Sequence, residues 1–263
     1  MNIQAIFSDI DGTLINSQHQ ISPRTLLAIR QVLGLGIPFT LVSARPPKAI
    51  TPFTREIGGK QALIAFNGAL ILDDAGKALY SVTLPDDDVA RLEALLERNP
   101  AVSPNYYAGQ EWYSPNPENF WTQQEGEITH LQASPKPQHL SGVHKILVMG
   151  EAEEILALEQ MLKPQFPHLH IHRSKPTYLE IVSPEATKAK ALDFMAKRLG
   201  ISAEHIMAFG DNFNDLDMLH YAGLGVVMGN APDEIKAQIP HHTASNDNDG
   251  LALCLESYFS LKT

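Results

Sequence analysis

The sequence predicts an α/β fold, with a Rossmann-like parallel-sheet core interrupted by an inserted α+β domain. Three observations predict it. The first third alternates short apolar runs with helical patterns, the order that gives a parallel sheet with right-handed crossovers. The same alternation resumes from Pro184 to the end. Between the two, the rhythm changes to a hairpin, clustered aromatics and many Pro, Asn and Gln residues. The division this predicts is a core of residues 1–83 and 185–263 and an inserted domain of residues 84–184, of common domain size.

The elements follow in order. Gln4 to Ser8 is an apolar strand that stops at Asp9-Ile10-Asp11-Gly12-Thr13-Leu14. Ser22-Pro23 opens a helix, with Ser as N-cap and Pro at the first helical position. Leu26, Ile29 and Leu33 keep helical spacing until Gly34 and Gly36 end the run. Ile37 to Val42 is the second strand, ending in Ser43-Ala44-Arg45, and Lys48 to Ile57 is a Pro-punctuated helix. Ala62 to Phe66 is the third strand, ending in Asn67-Gly68-Ala69. Ile71 to Ser81 reads as a hairpin around Asp73-Asp74-Ala75-Gly76.

In the insertion, Pro85 to Arg98 is a helix with acids in its first turn, where the helix dipole favours them. Asn99 to Ser141 reads as short strands with loops. His144 to Met149 is a strand, Ala152 to Phe166 a helix, and His168 to His172 and Thr177 to Val182 are strands. The core resumes with a helix from Pro184 to Leu199. The strand Ile206 to Phe209 ends in Gly210-Asp211-Asn212-Phe213-Asn214-Asp215. Leu216 to Tyr221, Pro232 to Gln238 and Leu251 to Phe259 are helices, alternating with strands at Leu224 to Met228 and His241 to Ala244.

Composition narrows the function. The chain has 263 residues and a formal net charge of -10. That balance disfavours nucleic acid and anionic membranes as partners, and an anionic substrate would need local positive charge in its site. The single cysteine, Cys254, rules out an internal disulfide and fits a reducing compartment. No signal-like opening and no run of membrane-spanning length is present, so a cytoplasmic protein is expected.

In open α/β sheets, ligands bind at the carboxyl ends of the strands. Asp9, Asp11, Ser43, Asn67, Asp211, Asn214 and Asp215 all fall at such ends, with Lys188 near the start of a nearby helix. Asp-x-Asp-Gly also suits a calcium loop, but the twelfth position from Asp9 is Gln20 rather than Glu. Several acids around one crevice cannot all ionise without a cation. Oxygen ligands without Cys or His favour a hard ion, Mg²⁺ being the usual one. A carboxylate on such an ion can attack phosphorus.

With these residues in place, the sequence resembles the haloacid-dehalogenase superfamily of phosphohydrolases, in its Cof-type subgroup with a large cap. The resemblance rests on Asp9-Ile10-Asp11-Gly12-Thr13-Leu14, on Ser43 in Leu41-Val42-Ser43-Ala44-Arg45, on Lys188 in Lys188-Ala189-Lys190-Ala191-Leu192, and on Gly210-Asp211-Asn212-Phe213-Asn214-Asp215. Asn67-Gly68-Ala69 and Ser245-Asn246-Asp247-Asn248-Asp249-Gly250 add to it. It covers both ends of the chain, with only the middle weakly matched. Ala44 and Ala189 stand where the family often has Gly; neither change removes a catalytic group.

The resemblance implies that Asp9 attacks phosphorus to form an aspartyl-phosphate, and that Asp11 protonates the leaving alcohol and then activates water. It implies Mg²⁺ held by Asp9 and Asp211, by the backbone carbonyl of Asp11, and by Asp215 either through water or from behind as an orienter. Ser43 and Asn214 would hydrogen-bond the phosphoryl oxygens and Lys188 would neutralise them, with Lys190 a rival for that role. The implied activity is a Mg²⁺-dependent phosphatase for small phosphorylated metabolites, sugar phosphates above all; a monomer and a homodimer fit the sequence equally.

Two rivals remain at this stage: a phosphomutase or phosphotransferase sharing the intermediate, and a non-catalytic sensor of a phosphorylated ligand. The insertion lies between the Ser43 and Lys188 motifs, which counts against the mutase type. The presence of Asp9, Asp11, Lys188 and Asp211 counts against the sensor. His168, His170 and His172 alternate along the expected strand, but no fourth ligand marks them as a zinc site. Tyr106, Tyr107, Trp112 and Tyr113 fit the small core of the insertion as readily as a substrate pocket.

Overall fold

The computed structural model describes residues 2–58 and 60–262. Met1, Gly59 and Thr263, inside the predicted core ranges, lie outside the described residues. In chain order the first segments are β1 (Ala5–Ser8), α1 (Pro23–Gly34), β2 (Phe39–Val42), α2 (Pro47–Ile57), β3 (Leu63–Ala65), β4 (Leu70–Leu72) and β5 (Ala78–Ser81). The middle holds α3 (Asp86–Leu96), β6 (Val102–Ala108), β7 (Glu111–Ser114), α4 (Phe120–Thr129), β8 (Ser134–Pro135), β9 (Val143–Gly150), α5 (Ala152–Leu162), β10 (His170–Lys175) and β11 (Tyr178–Val182). The last part is α6 (Lys188–Leu199), β12 (Ile206–Gly210), α7 (Leu216–Tyr221), β13 (Leu224–Val227), α8 (Asp233–Lys236), β14 (His241–His242) and α9 (Gly250–Phe259).

The chain divides into two compact units. One comprises the residues up to Arg45, Ile50–Tyr80 and the chain from Thr187 onward; the other is Ser81–Ala186 together with Pro46–Ala49. The first unit carries an eight-stranded sheet in the order β14-β13-β12-β1-β2-β3-β4-β5. Every pairing from β14 to β3 is parallel, and β4 turns back antiparallel on β3. Strands buried on both faces read as unbroken apolar runs, which is why Ala5–Ser8 and Ile206–Gly210 show no polar alternation. Ala5, Phe7, Ile206 and Ala208 pack with Leu192, Met195, Met218 and Ile235 from α6, α7 and α8. Ile6, Met207 and Phe209, which alternate with them, are also fully buried. Ser22 caps α1 as expected, its Oγ accepting from Thr25 N–H at 3.1 Å.

The register sets the site. Ser8 pairs with Phe209 on one side and Leu41 on the other. Asp9 N–H then donates to Phe209 O (3.0 Å), Ser43 N–H to Ile64 O (2.9 Å) and Asn67 N–H to Ser43 O (2.9 Å). The ends of β12, β1, β2 and β3 therefore stop level, side by side.

The second unit carries a six-stranded sheet, β10-β11-β9-β6-β7-β8. Leu92, Leu96, Ile155, Leu158 and Leu162 from α3 and α5 pack on Val102, Tyr106, Ile146, Val148, Leu179 and Ile181. Three details differ from the sequence reading. Asn99 to Ser141 holds a seven-residue strand and a ten-residue helix rather than only short strands, because tertiary packing overrides the weak local propensity of its Pro and Asn residues. The strand expected at His168 begins at His170, and His168 Nε2 instead meets Asp88 Oδ2 at 2.6 Å. The helix expected from Pro184 starts at Lys188, because the Thr187 side chain accepts from Lys190 N–H and caps it there.

His144 gives this unit a pH-dependent element. Its ring is buried, with Nδ1 accepting from Gly109 N–H (3.1 Å) and Nε2 facing Ser81 Oγ (2.9 Å). Burial pushes its pKa down from 6.5 to about 4, against a smaller opposing hydrogen bond to the Gly142 backbone. Above pH 6.5 the imidazole is neutral in both folded and unfolded chains and has no pH effect. As pH falls from 6.5 to 4 the unfolded chain binds a proton that the folded unit refuses, so stability falls, by about 3 kcal/mol. Both tryptophans, Trp112 and Trp121, lie in this unit, so tryptophan fluorescence in urea reports on it. The loss between pH 7 and pH 4 is expected to be about 3 kcal/mol smaller in His144→Gln than in the wild type.

Candidate active site

The site is built where β1, β2, β3 and β12 end. Asp9, the residue after β1, is buried, and its Oδ1 accepts from Lys188 Nζ at 2.6 Å. Lys188 is fully buried at the first position of α6, and its Nζ also reaches Asp215 Oδ1 at 2.6 Å and Val42 O at 3.5 Å. Lys190, two residues on, is exposed. Asp215 is fully buried, and its second oxygen accepts from Asp211 N–H (2.9 Å) and Asn212 N–H (3.0 Å). Asp215 thus folds the loop around Asp211 and holds Lys188 in place.

Asp211 is fixed from the opposite side. Thr13 Oγ1 donates to its Oδ1 at 2.9 Å, and Asn230 Nδ2 lies 3.4 Å from its Oδ2 while donating to Gly12 O at 2.8 Å. Gly12 has φ of +81°, and a Cβ there would fall 2.3 Å from Asp211 Oδ2, so only glycine lets this carboxylate approach the loop. Asn246 completes the brace, donating from its backbone to Asn230 Oδ1 (3.0 Å) and from its side chain to Ile15 O (2.9 Å).

Carboxylate oxygens of Asp9, Asp211 and Asp215 lie within 4.8 Å of one another. Burial first, and the charge of Asp215 next, push Asp211 up to about 6. Burial also drives Asp9 well above the usual carboxylate range; Asp215 and Asp211 add to this, against the pull of Lys188. Burial alone would lower Lys188, but Asp215 and Asp9 outweigh it and hold its pKa above the ordinary lysine value. One ammonium among three carboxylates leaves excess negative charge, and an all-oxygen donor set of this kind fits a hard divalent cation. Among the described residues this is the sole cluster of His, Cys, Asp and Glu groups so arranged, and His168, His170 and His172 form none.

Asp11 is held differently. Its two oxygens accept from Arg45 Nε (2.8 Å) and Nη2 (2.6 Å), a bidentate fork, while its side chain remains half exposed. Arg45 in turn lies over the Phe53 ring, 5.5 Å from its centroid. Ser43 is buried, and its Oγ accepts from Arg45 N–H at 3.2 Å, which leaves the hydroxyl proton to donate. Asn214 is exposed and donates from Nδ2 to Asn67 Oδ1 at 3.2 Å.

The eight residues singled out at strand ends and at Lys188 therefore converge on one end of one sheet. The sequence reading missed the bracing residues: Arg45 on Asp11, Thr13 on Asp211, and Asn230 on Gly12. Arg45 and Thr13 sit inside quoted motifs, so proximity in sequence was a usable signal. Asn230 offered none, being an ordinary polar residue far from every motif.

Similarity to known proteins agrees with this arrangement. A family model described as haloacid dehalogenase-like hydrolase matches residues 6–255. A protein of Haemophilus influenzae, provisionally named a phosphatase, is 43% identical over 260 residues, covering 98% of this chain and 99% of the relative. A haloacid dehalogenase-like hydrolase from Bacteroides thetaiotaomicron superposes with a TM-score of 0.92 at 29% identity, covering 98% of this chain and 100% of the other. A subclass IIB sugar phosphatase of the same superfamily superposes with a TM-score of 0.82 at 25% identity, covering 98% and 100%.

Proposed function

The chain belongs to the haloacid dehalogenase-like hydrolase family and is a phosphatase of that family; from this premise we propose a Mg²⁺-dependent, two-step hydrolysis of small phosphorylated metabolites, sugar phosphates first among them. One observation carries the reading: Asp9 sits at the end of β1, 2.6 Å from the buried Lys188 ammonium and within 4.8 Å of the carboxylates of Asp211 and Asp215. Asp9 and Asp211, with the Asp11 carbonyl, would hold the cation, which supplies charge neutralisation to the phosphoryl oxygens. Asp215 acts from behind, since its oxygens already carry hydrogen bonds from Lys188 and from two backbone N–H groups.

The protein groups divide the chemistry. Lys188, the Ser43 hydroxyl and an Asn214 N–H orient the phosphoryl group for in-line attack. An Asp9 carboxylate oxygen bonds to phosphorus as the bond to the alcohol oxygen breaks, giving an aspartyl-phosphate. Asp11, whose oxygens both accept from Arg45 in the resting site, would release one of them from that fork and take up a proton, which it gives to the leaving oxygen. In the second step Asp11 takes a proton from water, the water oxygen bonds to phosphorus, and Asp9 is released with inorganic phosphate. Arg45 keeps the Asp11 carboxylate oriented between these two transfers, and its hold on both oxygens supports a role for Asp11 apart from the cation. The sugar phosphatase among the structural relatives supports the substrate class, and the excess of carboxylates supports the cation.

The test is phosphate release across a panel of sugar phosphates and cofactor phosphates such as FMN and pyridoxal phosphate. Release is expected with Mg²⁺, with loss in EDTA and recovery on adding Mg²⁺ back. Isomerised sugar phosphate without free phosphate would overturn hydrolysis in favour of a mutase, and release unaffected by EDTA would overturn the cation.

A further inference from the structure

The turn that leaves β3 has left-handed backbone at three successive residues, with φ of 52° at Phe66, 53° at Asn67 and 107° at Gly68. That conformation is unusual for a bulky buried aromatic and persists only where the surroundings enforce it. Here they do. Phe66 N–H donates to Arg45 O (3.2 Å) and Asn67 N–H to Ser43 O (2.9 Å). Gly68 lies so close to α6 that a Cβ would fall 2.3 Å from Thr187 O. Thr187 is the N-cap of the helix that begins with Lys188. The turn is therefore locked to the backbone of one phosphate-binding residue and to the root of another.

From this fixed platform Asn67 Oδ1 accepts from Asn214 Nδ2. A carboxamide presents N–H on one side and oxygen on the other, and rotation exchanges them. Phosphoryl oxygens accept only donors. The bond to Asn67 takes one Asn214 N–H and sets the amide so that the other can face a phosphoryl oxygen, whereas the rotated amide would set oxygen against oxygen.

Resting on the phosphatase reading above, we propose that Asn67 is a positioning residue for the phosphoryl group: it acts through Asn214, and the strained turn exists to place it. Ser43, Lys188 and Asn214 are then held by one common element rather than independently.

Asn67→Gly tests this cleanly. Glycine tolerates the left-handed backbone and removes only the amide, so the thermal midpoint is expected to stay or rise. The KM for a sugar phosphate and the inhibition constant for inorganic phosphate are each expected to rise about tenfold, the loss of one hydrogen bond to a charged group. Asn214→Ala is expected to give the same change, and the double variant no more than Asn214→Ala alone. Wild-type constants in Asn67→Gly, or effects that multiply in the double variant, would overturn the role of Asn67. A wild-type protein that neither releases phosphate nor is inhibited by it would overturn the phosphatase reading itself.

Discussion

Asp9→Asn is expected to lower phosphate release by on the order of 10⁴-fold or more while leaving a folded protein. Asparagine keeps the shape of the side chain but cannot form the acyl-phosphate bond, so both steps are lost together. The fold should tolerate the change well. Asp9 is buried among Asp211 and Asp215, and burial already drives its pKa well above the carboxylate range. A neutral amide there ends the cost of burying a charge, and Lys188 keeps Asp215 as its partner at 2.6 Å. The thermal midpoint without Mg²⁺ is therefore expected to be unchanged or raised. The measurement pairs steady-state phosphate release with thermal unfolding. Undiminished turnover in the variant would remove Asp9 from the mechanism, and a lowered midpoint would contradict the electrostatic account of its burial.

The second large effect belongs to Lys188. Its ammonium is fully buried and bonded to two carboxylates, and taking away this shared cation strands both of them in a medium that solvates them poorly. Lys188→Met is expected to cost about 3–5 kcal/mol of stability and to abolish detectable turnover, since the phosphoryl oxygens lose their fixed counter-charge. The double variant Lys188→Met, Asp215→Asn should recover part of the stability and none of the activity. Denaturant unfolding of the first unit and phosphate release separate the two quantities. Full stability in Lys188→Met would show that Asp9 and Asp215 do not depend on the ammonium, contrary to the geometry.

These expectations share a cause. The level ends of β12, β1, β2 and β3 bring acids and a hydroxyl, and the start of α6 an ammonium, into one low-dielectric crevice, where each group sets the charge state of the next. The excess negative charge that would be a liability in an ordinary core here favours a cation and, with it, an anionic substrate in a protein of net charge -10.

The parallel core was legible because strands buried on both faces are continuous apolar runs, and the candidate site groups because they follow those runs at once: Asp9 after β1, Ser43 after β2, Asp211 after β12. Local chemistry also fixed the cap of α1 at Ser22. What the sequence by itself determined was thus the set of reactive groups and the strand ends that carry them, since both are written in contiguous residues. The tertiary structure alone decided how those groups are held. It buried Lys188 and left Lys190 exposed, started α6 at Lys188 behind the Thr187 cap, set Arg45 on Asp11 and Asn67 on Asn214, and placed Asn230 against Gly12. The contacts of Lys188 with Asp9, Asn67 with Asn214 and Asn230 with Gly12 join segments more than a hundred positions apart, formed by strand register and helix packing, and no local pattern encodes such partners.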